Sequence, residues 1–246
     1  MEYIHKLAVY LHIVLGSFAL VLFWIPIFAT KGSKTHNRFG QYYNWSMYGT
    51  SVLGVIACIL VLFDPMGVKP KTFVDMAEQA TYINNTRVFS LFLLMLSLLV
   101  LVSIYHGDRV LKAKANNALL RTPLHLGLFC ALVITALISM VLGFMHSQTL
   151  LIVFSVVSLL VVSRYIRYVF TAKVQPRAWV IEHLVAMLGS GIGVYTAFSA
   201  FGGRHIFSYL LGDHAAFLSW IVPSVIGTVS ISWSRRYFEK KFRIAK

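Results

Sequence analysis

The sequence predicts an all-α membrane protein, a polytopic bundle of seven transmembrane helices in one domain over residues 1–246, with the N-terminus outside and the C-terminus cytoplasmic. Three observations predict it. Hydrophobic residues make up 58% of the chain and charged residues 12%, where a soluble globular chain carries about 25% charged residues; mean hydropathy is +0.75. The apolar residues gather in runs long enough to cross a hydrocarbon core about 30 Å thick, which takes about 20 helical residues. Lys and Arg crowd into every second connection between those runs, as topology in a membrane requires.

The runs cover roughly 7–29, 45–63, 88–105, 123–145, 150–170, 178–200 and 217–233. Backbone amides cannot stay unpaired in hydrocarbon, and the runs lack the strict alternation of barrel strands, so each is predicted to be a helix. Pro26, Pro123 and Pro223 fall near span ends or where a neighbouring helix accommodates a kink. The first run lacks a basic n-region, outlasts a usual signal h-region and leads into Lys31-Gly32-Ser33-Lys34, so it is expected to be a retained span rather than a cleaved signal. The stretch 65–86 is expected to carry a small outer helix. Within 201–216, Phe201, Ile206, Phe207, Tyr209, Leu210 and Leu211 are expected to form an amphipathic interfacial turn.

Orientation follows from the cations. Of the 22 Lys and Arg residues, 17 fall on one side, in the connections around Lys31, Arg109 and Lys173 and in the tail from Arg235; only Lys6, Lys69, Lys71, Arg87 and Arg204 fall on the other. The basic side is cytoplasmic. The net charge of +14 therefore faces anionic lipid headgroups, which makes it a topology determinant and gives no reason to expect a nucleic-acid partner. Cys58 and Cys130 lie in opposite halves of the bilayer, so no disulfide framework is expected. No phosphate-binding loop, zinc ribbon or nucleophile elbow is present, and the seventh span has no central lysine for a retinal Schiff base. Gly189, Gly191 and Gly193 sit inside the sixth span, where they suit close approach of a neighbouring helix or of a flat cofactor.

Nine histidines stand out in so apolar a chain, because ionisable groups in a membrane are costly and mark functional paths. His106 ends the third span, His125 opens the fourth, and His183 lies about one turn into the sixth, so all three share a level near the cytoplasmic face. His36 and Asp108 are within reach of that level. Glu182 adjoins His183 but points about 100° away around the helix, and is not expected to share a ligand with it. His12 is the one histidine embedded in the outer half; His5, His146, His205 and His214 are near the outer surface. Arg164, Tyr165, Arg167 and Tyr168 close the fifth span as a basic aromatic belt, a set also suited to a haem propionate or a phosphate.

Three imidazoles from three helices suit two chemistries. The first is haem b, with His125 and His183 as axial ligands and His106 as the third contender, in a membrane oxidoreductase passing electrons to a redox partner or quinone. The second is zinc held by His106, His125 and His183, with Asp108 as a further ligand or with Asp108 or Glu182 acting on the bound water, in an intramembrane hydrolase of lipid-like substrates. A third reading is a transporter or accessory subunit; the seven spans carry no inverted repeat and Glu182 is the one plausibly embedded acid, both of which count against proton-coupled transport. Substrate and oligomeric state stay open.

The N-terminal third carries His12-x3-Gly16-x2-Ala19-Leu20 and Lys31-Gly32-x3-His36-x-Arg38-x-Gly40-x2-Tyr43-x3-Met47. This pattern resembles the bacterial predicted-membrane-protein family called domain of unknown function 2306, clearly over about the first fifty residues and more loosely beyond. The resemblance implies a polytopic bacterial inner-membrane protein and singles out His12, His36, Arg38, Gly40 and Tyr43; the family has no settled activity and supplies no reaction. Ser33 stands where a second glycine often follows Gly32, which departs from the family's turn.

Overall fold

The computed structural model describes residues 1–203, 208–209, 212 and 215–242. Among these there are eight α-helices and no strand: α1 (Glu2–Phe28), α2 (Lys34–Phe63), the single turn α3 (Pro65–Val68), α4 (Met76–Ala113), α5 (Pro123–Met145), α6 (Thr149–Phe170), α7 (Ala178–Ala197) and α8 (Ala215–Lys241). Seven of them are long and apolar enough to span a membrane. Every predicted span is there, but α1, α2, α4 and α8 run further than the hydropathy of their sequences indicates. Hydropathy reports the part of a helix that sits in hydrocarbon, whereas capping residues set where the backbone stops coiling. Ser33, Asp75 and Thr122 begin α2, α4 and α5 by accepting the backbone N–H of His36, Ala77 and His125. The outer stretch 65–86 holds α3 and the first turns of α4. Tyr209 of the expected interfacial turn is exposed; Ile206, Phe207, Leu210 and Leu211, with His205 and His214, lie outside the described residues.

Helix α4 is the axis of the bundle. It packs against α2, α5, α6 and α7, while α1 lies on α2 and α7, and α8 lies on α7. At 38 residues it is about 57 Å long, enough to cross the bilayer and project beyond it. Lipid-facing α1 buries only Ala8 and Ala19. Its seam with α2 is held by backbone carbonyls that accept from side chains: Ser46 Oγ donates to the Leu15 carbonyl at 2.8 Å, and His12 Nδ1 meets the Thr50 carbonyl at 2.8 Å. Tyr43 Oη joins α2 to α7 through Ser190 Oγ at 2.9 Å.

Two basic-end connections are tied to helix C-termini. Lys31 Nζ donates to the Pro26 and Ile27 carbonyls at 2.9 and 2.7 Å, and His36 Nδ1 reaches the Pro26 carbonyl at 3.0 Å. A cation and a ring N–H thus meet the otherwise unpaired carbonyls that end α1, and Gly32 makes the intervening turn at φ 81°, a backbone angle that favours glycine. Asn117, in the connection between α4 and α5, places Nδ2 at 3.0, 3.2 and 2.7 Å from the carbonyls of Tyr168, Val169 and Thr171. That docks the connection onto the end of α6 and fixes where α5 begins.

One close helix approach matters for the site. A Cβ on Gly107 would lie 3.0 Å from the Ala186 Cβ and still closer to the end of Met187, so α4 and α7 meet there with no room for a side chain. Gly107→Val is expected to overpack this contact and destabilise the bundle by about 1–3 kcal/mol, read as a lower thermal midpoint in detergent; an unchanged midpoint would show that the two helices are not in contact at this residue.

Candidate buried polar relay

At the basic end of the bundle, His106 of α4 is fully buried, and both of its ring nitrogens have partners from other helices. Its Nδ1 lies 3.2 Å from His125 Nε2 of α5, and its Nε2 lies 3.1 Å from Glu182 Oε1 of α7. The other carboxylate oxygen of Glu182 accepts from Arg164 Nη2 of α6 at 2.5 Å. Four helices therefore contribute one residue each to a continuous polar chain inside an apolar core.

Local sequence explains each placement. Pro123 in the first turn of α5, with Thr122 as its cap, starts that helix so that His125 faces inward, and Asn117 holds the preceding connection against α6. Tyr165 lies flat on His106, with ring centroids 4.2 Å apart and planes 24° apart, and donates its hydroxyl to Ser103 Oγ at 3.2 Å. Phe129 packs against His125 at 4.6 Å and Tyr105 meets it edge-on at 5.1 Å. With aromatic rings covering them, the imidazoles have little rotational freedom.

Hydrogen-bond bookkeeping orders the chain. The carboxylate paired with Arg164 accepts at Oε1, so His106 Nε2 donates to it. A neutral His106 then accepts at Nδ1, so His125 Nε2 donates. The remaining nitrogen, His125 Nδ1, is buried without a well-formed hydrogen bond, and the backbone of Leu120 is the polar group within hydrogen-bonding reach of this ring. The buried Arg109 Nε and Tyr168 Oη, from residues flanking the chain, also have no partner. Three linked hydrogen bonds thus end at His125, an imidazole oriented by a second imidazole and a carboxylate.

Of the sequence-predicted residues, His106 and His125 come together, and His183 does not join them. Its Nδ1 meets the Gly107 carbonyl at 3.0 Å, which ties α7 to α4 beside the Gly107 contact. Asp108 pairs with Lys112 at 2.7 Å, His36 closes the end of α1, and His12 belongs to the seam between α1 and α2. Arg38 donates to Tyr42 Oη at 3.0 Å. A Cβ on Gly40 would only graze Pro26, and Tyr43 is a buried link between helices. Of the residues singled out by the resemblance, His12 and Tyr43 thus join helices and His36 closes a helix end, whereas Arg38 bonds only within its own helix. Glu182 is the residue the sequence undervalued. Its 100° offset from His183 is real, but it is Glu182 that points at His106. The available signal was a lone acid and a nearby cation, Arg164, embedded in consecutive spans. The glycines of α7 admit neighbouring helices: a Cβ on Gly191 would strike the Phe23 ring of α1.

The axial pair expected for haem, His125 and His183, is engaged elsewhere: His125 Nε2 lies 3.2 Å from His106 Nδ1, and His183 Nδ1 lies 3.0 Å from the Gly107 carbonyl; Phe129 and Tyr105 pack against His125. The arrangement does not fit zinc either: among the described residues, no three His, Cys, Asp or Glu groups could hold a metal ion. Compared with known proteins, the chain matches no family model, no curated protein and no solved structure.

The ion pair gives the site a measurable signature. Arg164→Ala strands a buried carboxylate and, because the Arg164 side chain is 28% exposed, is expected to cost about 2 kcal/mol, less than the 3–5 kcal/mol of a fully buried pair. Adding Glu182→Gln should recover most of that loss in thermal unfolding, since a neutral amide needs no cation. A double variant as unstable as Arg164→Ala would show that the two side chains are not coupled.

Proposed function

We propose that this protein handles protons in the membrane: the chain from His125 through His106 to Glu182 takes up a proton at one end and delivers it to the other, as the protonation site of a proton-coupled transporter. The observation that carries the proposal is His106, which is fully buried and has both nitrogens engaged, one by a base and one by an acid. A proton arriving at His125 Nδ1 releases the Nε2 proton to His106 Nδ1, and His106 in turn releases its Nε2 proton to Glu182 Oε1. Three short transfers move one positive charge from α5 to the carboxylate on α7 and leave both imidazoles neutral, in the tautomers opposite to those they began with.

Two further features support this over chemistry on a bound substrate. No relay residue lines the cleft at the opposite end of the bundle, beside His146 and Gln148, or the one on α8 beside Thr228 and Trp233; a fully buried imidazole with both nitrogens engaged suits a proton better than an organic substrate. Protonating Glu182 also removes its hold on Arg164, so proton arrival changes what joins α6 to α7, the kind of differential contact that coupled transport requires. By the same reading, the basic end faces the cytoplasm of a bacterial inner membrane, and domain of unknown function 2306 is the proposed family.

Exchange of ring protons with solvent separates a relay from a structural hydrogen bond. In lipid bilayers, the Nε2 proton of His106 is expected to exchange within seconds despite the burial of the residue. Glu182→Gln should slow that exchange at least tenfold by removing the acceptor. A ring proton protected for hours in the native protein would refute proton transfer through His106.

A further inference from the structure

Arg164 bridges a seam that the helix backbones leave open. Helix α6 lies mainly on α5, and α7 mainly on α4 and α8. At the basic end the link between α6 and α7 is made by the guanidinium of Arg164, in the last two turns of α6, on the carboxylate of Glu182, in the second turn of α7. Of the five N–H donors of a guanidinium, the described residues engage one, on Nη2. The Arg164 side chain is 28% exposed where that of Glu182 is 7% exposed. One edge of the cation thus faces a buried partner, and its exposed remainder has donors to spare for a second ligand.

The surroundings select an anion for that place. Between Arg164 and Glu182 the chain carries Arg167, Lys173 and Arg177, all exposed, and no acid, a basic rim that concentrates anions from solution. One turn beyond Arg164, and therefore on the same side of α6, Tyr168 has a buried hydroxyl with no hydrogen-bond partner, and its ring meets His106 edge-on at 5.9 Å. A guanidinium edge offers two parallel N–H donors that match a carboxylate, and a carboxylate has lone pairs left over for a phenol O–H.

Charge decides when such a ligand binds. The titratable groups against the Glu182 carboxylate are His106 from α4 and Arg164 from α6, with His125 of α5 behind His106, and with Tyr165 and Tyr168 of α6 in contact with the His106 ring. Among the described residues, α1 and α8, which also pack on α7, place no ion pair or hydrogen bond on it. While Glu182 is ionised it neutralises Arg164, and a second anion would have to share one cation in surroundings poor in water. When a proton binds Glu182 at Oε1, the charge of Arg164 loses its partner.

We propose that Arg164 binds a small monovalent carboxylate when Glu182 is protonated, so that this ligand is carried together with the proton; the inference rests on the proton-transfer reading of the chain. Glu182 and the ligand compete for one guanidinium, and the proton settles the competition in favour of the ligand. By reciprocity, the bound anion holds the proton on Glu182. One proton and one monoanion enter and leave together, so the loaded site carries the same net charge as the empty one.

Calorimetric titration of acetate into the full-length protein in lipid nanodiscs, in two buffers of different ionisation enthalpy, gives both the affinity and the protons taken up. The native protein is expected to take up about one proton per acetate bound at neutral pH. Glu182→Gln, whose amide imitates the protonated acid, should bind acetate about tenfold more tightly at that pH, in the range usual for coupled sites, and take up no proton. Arg164→Ala combined with Glu182→Gln, the pair expected to fold stably, should not bind acetate. Equal affinity in native and Glu182→Gln protein, acetate binding that survives in the double variant, or chloride bound as tightly as acetate would overturn the inference. Rapid exchange of the His106 ring proton with no acetate binding would sink this inference and leave the relay standing. Acetate binding with proton uptake, beside a His106 proton protected for hours, would sink the relay and leave the anion site.

Discussion

A fully buried histidine among apolar helices is costly unless its ring nitrogens find partners, and the basic end of the bundle is organised around supplying two of them to His106. His106 sits on α4, the helix that touches most of the others, and both of its nitrogens are engaged by side chains of different helices. An unsatisfied polar group in such surroundings costs several kcal/mol with no water to relieve it. The requirement therefore acts as a constraint on how α4, α5 and α7 may be arranged, and Arg164 extends it to α6. Other features of the basic end serve the same alignment. Gly107 lets α7 come close enough for Glu182 to reach His106, His183 anchors that contact on the Gly107 carbonyl, and Asn117 pins the connection that starts α5.

Membrane class, number of spans and depth of the histidines were legible because they depend on one-dimensional quantities: hydropathy, length and distance along a helix. His106 and His125 could be matched in this way, and they do meet. What the sequence could not supply was rotational phase about each helix axis relative to its neighbours. His183 and Glu182 are adjacent and differ by about 100°, so choosing which one faces α4 requires knowing where α4 lies. Intuition favoured the imidazole; the bundle presents the carboxylate. The same limit applies to the α7 glycines, of which Gly191 proved to face Phe23 of α1 and Gly193 to face Val100 of α4. The N-terminal pattern was legible as a set of residues but silent on their roles, since capping the end of α1 and sealing it to α2 involve polar side chains of the sort that catalysis also uses.

The relay runs across the bundle rather than along it, so it links helices at one level instead of connecting the two faces of the membrane. A proton that reaches Glu182 neutralises the partner of Arg164, the only relay residue with appreciable exposure among the four. The consequence is mechanical. The contact between α6 and α7 changes from an ion pair to a weaker hydrogen bond, while the contact between α4 and α5 keeps its hydrogen bond with the donor and acceptor exchanged. On the proton-transfer reading, a lateral chain of this kind turns occupancy by a proton into a change in which helices are held together, which is why proton coupling is the role proposed for the site.

The central claim is that His106 bonds His125 and Glu182 simultaneously, with the proton order assigned above. The most direct test is scalar coupling between nitrogens across the hydrogen bond, measured on uniformly 15N-histidine-labelled protein. The account predicts a resolved coupling between His125 Nε2 and His106 Nδ1, with the proton on the His125 side at neutral pH. If the two rings give no coupling, or if His106 carries its proton on Nδ1 while Arg164 and Glu182 are intact, the account is contradicted.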